Sequence, residues 1–149
     1  MGENSAIEEL KRVDHLIFVT LKYTRTVDVI RSVLERLVST LDYQISDLLE
    51  HYRKKGKLAA VPPAAMLRCR KLEAVFPKDE EIKNLIDFYM DLKKLVTSEY
   101  KKKEEYRKNV AMITKDAEIT IDKLRTYADE TKRYINYLVE LMGEGPKKE

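Results

Sequence analysis

Apolar residues return every three or four positions along nearly the whole chain, and between Glu3 and Met142 a single glycine, Gly56, interrupts them. Such spacing keeps one face of a helix apolar, whereas strands would alternate with period two and bring turn residues at about every eight to twelve positions. The pattern predicts an all-α fold: an elongated helical bundle of four to five helices, mostly antiparallel, over residues 1–143, followed by a polar C-terminal tail at 144–149.

The first helix opens on a capping box, Ser5 with Glu8, and turns Ile7, Leu10, Val13, Ile17 and Leu21 inward. Around Tyr23–Thr26 two readings stand: Thr24 or Thr26 caps a new helix, or the chain continues as one long kinked helix. The cleanest stripe follows, with Ile30, Leu34, Leu37, Leu41, Ile45, Leu48 and Tyr52 on one face of a helix over 27–55. Gly56 suits its left-handed cap, and Val61-Pro62-Pro63 makes a rigid connector into a short helix ending near Phe76. Asp79, Glu80 and Glu81 suit the first turn of the next helix, whose stripe is Ile82, Leu85, Ile86, Tyr89, Leu92 and Val96. From Thr97 to Asn109 eight of thirteen residues are charged, which predicts an exposed helix extension, or else a flexible break. Thr114 is a candidate N-cap, with Asp116 and Glu118 in the first turn of a final helix that buries Ala117, Ile121, Leu124, Ala128, Ile135, Leu138 and Met142 and closes on Gly143.

Composition narrows the class. Uninterrupted apolar stretches such as Leu16–Val19 fall far short of the roughly 20 residues a membrane-spanning helix needs. The amino terminus, MGENSAIEEL, is polar and acidic, unlike a secretory signal. One cysteine, Cys69, permits no internal disulfide, so a cytoplasmic setting is expected. One glutamine, no tryptophan and abundant Lys and Glu lean toward a thermophile. The net charge of +3 is unevenly spread: Arg53, Lys54, Lys55, Lys57, Arg68, Arg70 and Lys71 fall within 51–72, which holds no Asp or Glu, leaving 22 positive against 26 negative residues elsewhere, or −4.

No catalytic, metal-binding or cofactor-binding residues are assigned. A di-iron bundle needs Glu-x-x-His, but Leu48 stands three before His51 and Arg12 three before His15. His51 shares a face with Asp47, which reads as a helix-end pair before it reads as half a metal site. Cys69 between Arg68 and Arg70 is either a thiol acidified by cations or a small, partly buried side chain. The four glycines form no phosphate loop, and no small-molecule ligand is inferred. The best candidates for contact with an acidic partner or a nucleic acid are the seven cations of 51–72 together with Lys101, Lys102, Lys103, Arg107 and Lys108, where Tyr100 and Tyr106 supply stacking faces. Glu104 and Glu105 temper the second run, since a Glu104–Lys108 pair also staples a helix.

The last third, from Leu92-Lys93-Lys94-Leu95 through Ser98-Glu99-Tyr100 and Glu105-Tyr106-Arg107 into Ile113-Thr114-Lys115-Asp116-Ala117-Glu118, resembles the closing helices of HEPN-type bundles. The resemblance covers about 50 residues. It implies a helical bundle that often dimerises, with members that cleave RNA or assist nucleotidyltransferases. The cleaving members carry an Arg followed four to six residues later by His; neither His15 nor His51 has one, so the resemblance implies binding or assembly and transfers no active residue.

The expected function is therefore non-catalytic association, with a second copy or another helical protein, through helix faces and the basic connector. The alternative is a nucleic-acid-binding bundle using both basic runs on RNA or DNA, and the third reading is a divergent HEPN-like ribonuclease.

Overall fold

The computed structural model describes residues 2–143, with side chains from Ala6 onward, so the polar tail and the Ser5 side chain lie outside the described residues. The chain forms helices α1 (Gly2–His15), α2 (Leu21–Tyr23), α3 (Val27–Lys54), α4 (Ala65–Val75), α5 (Glu80–Thr97) and α6 (Ile121–Gly143). Strands β1 (Lys101–Lys103), β2 (Ala111–Ile113) and β3 (Glu118–Thr120) fall between the last two. A π-helical turn, Leu16–Thr20, joins α1 to α2, and its Leu21 N–H reaches back to the Leu16 carbonyl. The fold is mostly helical, as the period predicts, and among the described residues no helix is long and apolar enough to cross a membrane.

α3 is the axis of the bundle, packing against α1, α4, α5 and α6. Its twelve buried residues, from Val27 to Tyr52, take up a much wider face than one seam would need. Thr26 caps it, accepting from the Val29 N–H at 3.3 Å, so Thr24–Thr26 is a true break rather than a kink. At the far end Gly56 sits at φ +79°, and the bonds Gly56 N–H to Arg53 O (2.9 Å) and Lys57 N–H to Tyr52 O (2.9 Å) close the helix as a Schellman motif. A side chain at that φ would be strained, which is why the helix ends on the one internal glycine.

The cross-links give the directions. Glu9–Arg36, with the short Thr24–Thr26 turn, sets α1 antiparallel to α3, and Tyr89–Asp42 with Arg31–Val96 does the same for α5. Asp14–Lys132 and Glu81–Arg133 set α6 antiparallel to both α1 and α5, which leaves α6 parallel to α3. Asp79 joins two of these helices: its Oδ1 accepts the Ile82 N–H at 3.1 Å as N-cap of α5, and its Oδ2 accepts from the Tyr137 hydroxyl of α6. Buried Thr40 and Thr131 satisfy their hydroxyls on the carbonyls four residues earlier, at 2.7 and 2.9 Å.

Three expectations are corrected. Leu10, Val13, Ile17 and Leu21 are buried as expected, but Ile7 is 41% exposed and Ala6 takes its place at the start of the inner face, and the helix already includes Ser5. The charged stretch after Thr97 does not extend α5: Lys101–Lys103 form an edge strand in an antiparallel meander ordered β1-β2-β3, with Lys102 opposite Met112 and Met112 opposite Ile119. A helix there would have had only two tyrosines to bury, whereas the meander lays Val110, Ala111, Met112 and Ile119 into the core. Lysines on the open edge discourage pairing with another chain. Finally, Thr114 belongs to the β2–β3 turn, where its Oγ1 accepts the Ala117 N–H at 3.0 Å; Ala117 and Glu118 precede the last helix, and Thr120 caps it through Lys123 N–H at 3.1 Å.

Candidate functional site

The two basic runs stand at opposite ends of α3. Lys102 pairs with Asp28 in its first turn (3.7 Å), while the connector run begins at its last residues. At 1.5 Å per residue the helix holds these ends about 40 Å apart. They are two surfaces, not one.

At the connector end the candidates divide by what they touch. Arg53 is tied to Glu50 at 2.5 Å, which holds the Glu50 carboxyl below its usual range, chiefly through that hydrogen bond. Lys55 lies 6.0 Å above the Tyr52 ring. Lys54 and Arg70 are exposed. Lys57 and Lys71 flank an open recess of about 540 Å³ whose remaining walls, Tyr52, Leu58, Ala59, Ala74, Val75 and Phe76, are apolar or aromatic. Tyr52 and Phe76 meet edge to face at 5.4 Å, joining the end of α3 to the end of α4.

Arg68 is different, because its guanidinium is spent inside the fold. It donates to the Pro62 and Pro63 carbonyls (3.2 and 2.6 Å) and to Asp42 Oδ1 (3.5 Å). The Tyr89 hydroxyl donates to the same Asp42 oxygen. This group pins the proline connector and α4 onto α3 and α5. Its effect on nearby protons argues against nucleophilic chemistry. Burial first, and then the Asp42 charge and Glu73, push the Cys69 thiol up to about 11, overriding Arg68 and Lys93. Burial and the bond to Asp42 raise the Tyr89 phenol far above its ordinary value. Sequence adjacency to two arginines would acidify Cys69; its buried position (3% exposed) reverses the sign.

His51 is half-buried with its ring edge-on to Tyr52 at 5.6 Å, and its Nε2 is buried without a hydrogen-bond partner. Among the described residues no three metal-ligating side chains cluster.

At the other end Lys103 pairs with Glu118 (3.2 Å), and Lys101, Arg107 and Lys108 are exposed. Glu104 and Lys108 do not staple a helix, since both lie in the β1–β2 loop, and the neighbouring Glu105 carboxylate accepts the Val27 N–H at 2.7 Å and caps α3. The Tyr106 N–H donates to the Arg25 carbonyl at 2.7 Å. Around these two contacts the loop holds Glu104 and Tyr106 at φ 52° and 70°, a left-handed region that non-glycine residues seldom occupy.

Next to the Thr24–Thr26 turn on which this loop docks, the π turn, α2 and the start of α6 form a depression that the sequence did not announce. Its walls include Phe18, Leu21, Lys22, Arg25, Ile121 and Arg125, with the Arg125 guanidinium 5.2 Å from the Phe18 ring centre. The one local signal was that Phe18 falls off the buried Val13–Ile17–Leu21 stripe. Arg125 arrives only through tertiary packing. No protein-family model matches the chain, and no curated protein or solved structure shows significant similarity to it.

Proposed function

We propose that this is a non-catalytic association protein and that the connector end of the bundle is its contact surface for an acidic protein partner, in the first instance a second copy of the chain. The observation that carries the reading is the apolar recess at Tyr52, Val75 and Phe76 flanked by Lys57 and Lys71, two cations of the 51–72 stretch, which holds no acidic residue. An apolar recess with a charged rim suits an anchor side chain presented on an oppositely charged segment. Residues outside 51–72 carry a net −4, so another copy offers the complementary charge. The HEPN resemblance of residues 92–118 leans the same way, because without an Arg…His pair it implies binding or assembly. A thiol kept protonated and unpaired fits a reducing, cytoplasmic setting.

Nucleic-acid contact through both basic runs at once is less well supported, since the runs stand at opposite ends of α3 and Arg68 is engaged by the proline carbonyls. A ribonuclease is less well supported still, because the most perturbed thiol and phenol are driven toward their protonated forms.

Sedimentation velocity tests the proposal. Wild-type protein at low salt is expected to show a concentration-dependent species heavier than the 17.5 kDa monomer, dispersing as salt rises. Lys57→Glu with Lys71→Glu should abolish it while leaving the circular dichroism unchanged, because neither lysine forms an ion pair among the described residues. A wild-type monomer at the highest soluble concentration in low salt would count against the reading.

A further inference from the structure

The depression at the hairpin end differs from the connector recess in chemistry as well as position. It measures about 330 Å³, and Lys22, Arg25 and Arg125 line it with no carboxylate among them. Lys22 and Arg25 have no ion-pair partner among the described residues, and the Asp122 that meets Arg125 at 3.6 Å is almost fully exposed. The apolar wall is roofed by the Arg125 guanidinium over Phe18, so the recess offers charge rather than a socket for an apolar side chain.

Two exposed tyrosines are linked to Arg25 through the backbone. Tyr23, two residues before Arg25, is 79% exposed, and Tyr106, whose backbone is bonded to Arg25, is 74% exposed. Neither ring is among the aromatic pairs or cation–π contacts of the described residues. The loop that presents Tyr106 is held in a strained backbone by Glu105 on Val27 and by Tyr106 on Arg25. Strain of this kind persists only where surrounding contacts impose it, and it gathers at ligand-contacting loops. The π turn that carries Phe18 into the recess is a second irregularity, and π turns are frequent at functional sites.

We infer that the hairpin end binds single-stranded nucleic acid, with Lys22, Arg25 and Arg125 taking backbone phosphates and Tyr23 and Tyr106 stacking on unpaired bases. The choice of a strand over a free nucleotide follows from extent: the cations continue past the recess onto Arg107 and Lys108, next to Tyr106 in the loop. The choice of single over double strand follows from the tyrosines, because a base can use an aromatic face only when it is out of the duplex stack. This site stands apart from the connector surface and does not depend on it.

Fluorescence anisotropy with a labelled oligouridylate or oligothymidylate of about fifteen nucleotides tests the inference. Wild type is expected to bind at low salt, with log K falling against log salt at a slope of about −2 for three phosphates on a single strand. Lys22→Glu, Arg25→Glu and Arg125→Glu together should weaken binding at least tenfold. So should Tyr23→Ala with Tyr106→Asn, a pair that leaves charge untouched and places at 106 a residue tolerant of positive φ. Lys57→Glu with Lys71→Glu should bind as wild type, which separates this site from the connector surface. The inference is overturned if wild type ignores the strand at low salt or if either set of variants binds it unchanged. Equal affinity for a duplex of the same sequence, or for base-free polyphosphate, would also overturn it.

Discussion

Leu41→Ala should lower the unfolding free energy by about 3–5 kcal/mol, the upper range for emptying a core leucine site. Leu41 is fully buried midway along α3, which has neighbours on four sides, so little around it can collapse into the cavity. With an unfolding entropy near 2.1 cal/mol/K per residue over 149 residues, the melting temperature should fall by about 10–15 °C. Thermal denaturation followed by circular dichroism measures it. Ser39→Ala, exposed on the same helix, should stay within about 0.5 kcal/mol of wild type. If the two variants melted together, α3 would not be the axis of the core.

Stability should fall steeply on the alkaline side. Cys69 and Tyr89 both hold their protons more tightly folded than unfolded, because burial and the Asp42 charge disfavour their anions. The sign follows from linkage: their contribution is full below the unfolded-state values and is lost as pH rises toward the folded ones. For Cys69 the window runs from its ordinary 9.0 to about 11. Two pKa units correspond to about 2–3 kcal/mol by the top of that window. Tyr89 adds to the loss from about pH 10 upward. Urea titrations at steps between pH 8 and 11 should therefore show a falling midpoint, and Cys69→Ala should remove the earlier part of the fall. A midpoint flat in that range for wild type would mean that the thiol and phenol are solvated, and that Asp42 and Arg68 do not close the connector over them.

The first result depends on a part of the molecule that the sequence pattern made plain; the second depends on the burial of Cys69, which the pattern left open. α3 follows its stripe and ends where Gly56 places it, because cap chemistry and period agree over many turns, whereas its start at Thr26 was open among Thr24, Thr26 and a kinked continuation. Asp79 at the start of α5 was readable for the same reason. The region between Thr97 and Ile121 was not. Three-residue strands are too short to show a period, and a run of lysines looks the same on a helix face and on an edge strand. Thr114 misled in an instructive way: it makes the same bond to the N–H three residues on that a helix cap makes, but inside a hairpin turn. Whether a helix follows was decided by burial of Ile119 in β3, a tertiary event.

The candidate surfaces divide along the same line. Lys57 and Lys71 were visible as members of a run without acids, although nothing local marked Arg68 as the one cation turned inward. The hairpin site escaped notice because Lys22, Arg25 and Arg125 form no run, and a loop from residues 104–107 must dock on the Thr24–Thr26 turn before they share a neighbourhood with Tyr106.

That the two basic segments are separate surfaces rests on the distance between them. Double electron–electron resonance on a Cys69→Ala background, with spin labels introduced by Lys55→Cys and Arg107→Cys, reads it directly. Both positions are exposed, so labelling disturbs no core contact. A single population near 40 Å is the expected result, the span of α3 at 1.5 Å per residue. A population below about 25 Å, shorter than the helix alone allows, would place connector and hairpin on one face and contradict the two-surface reading.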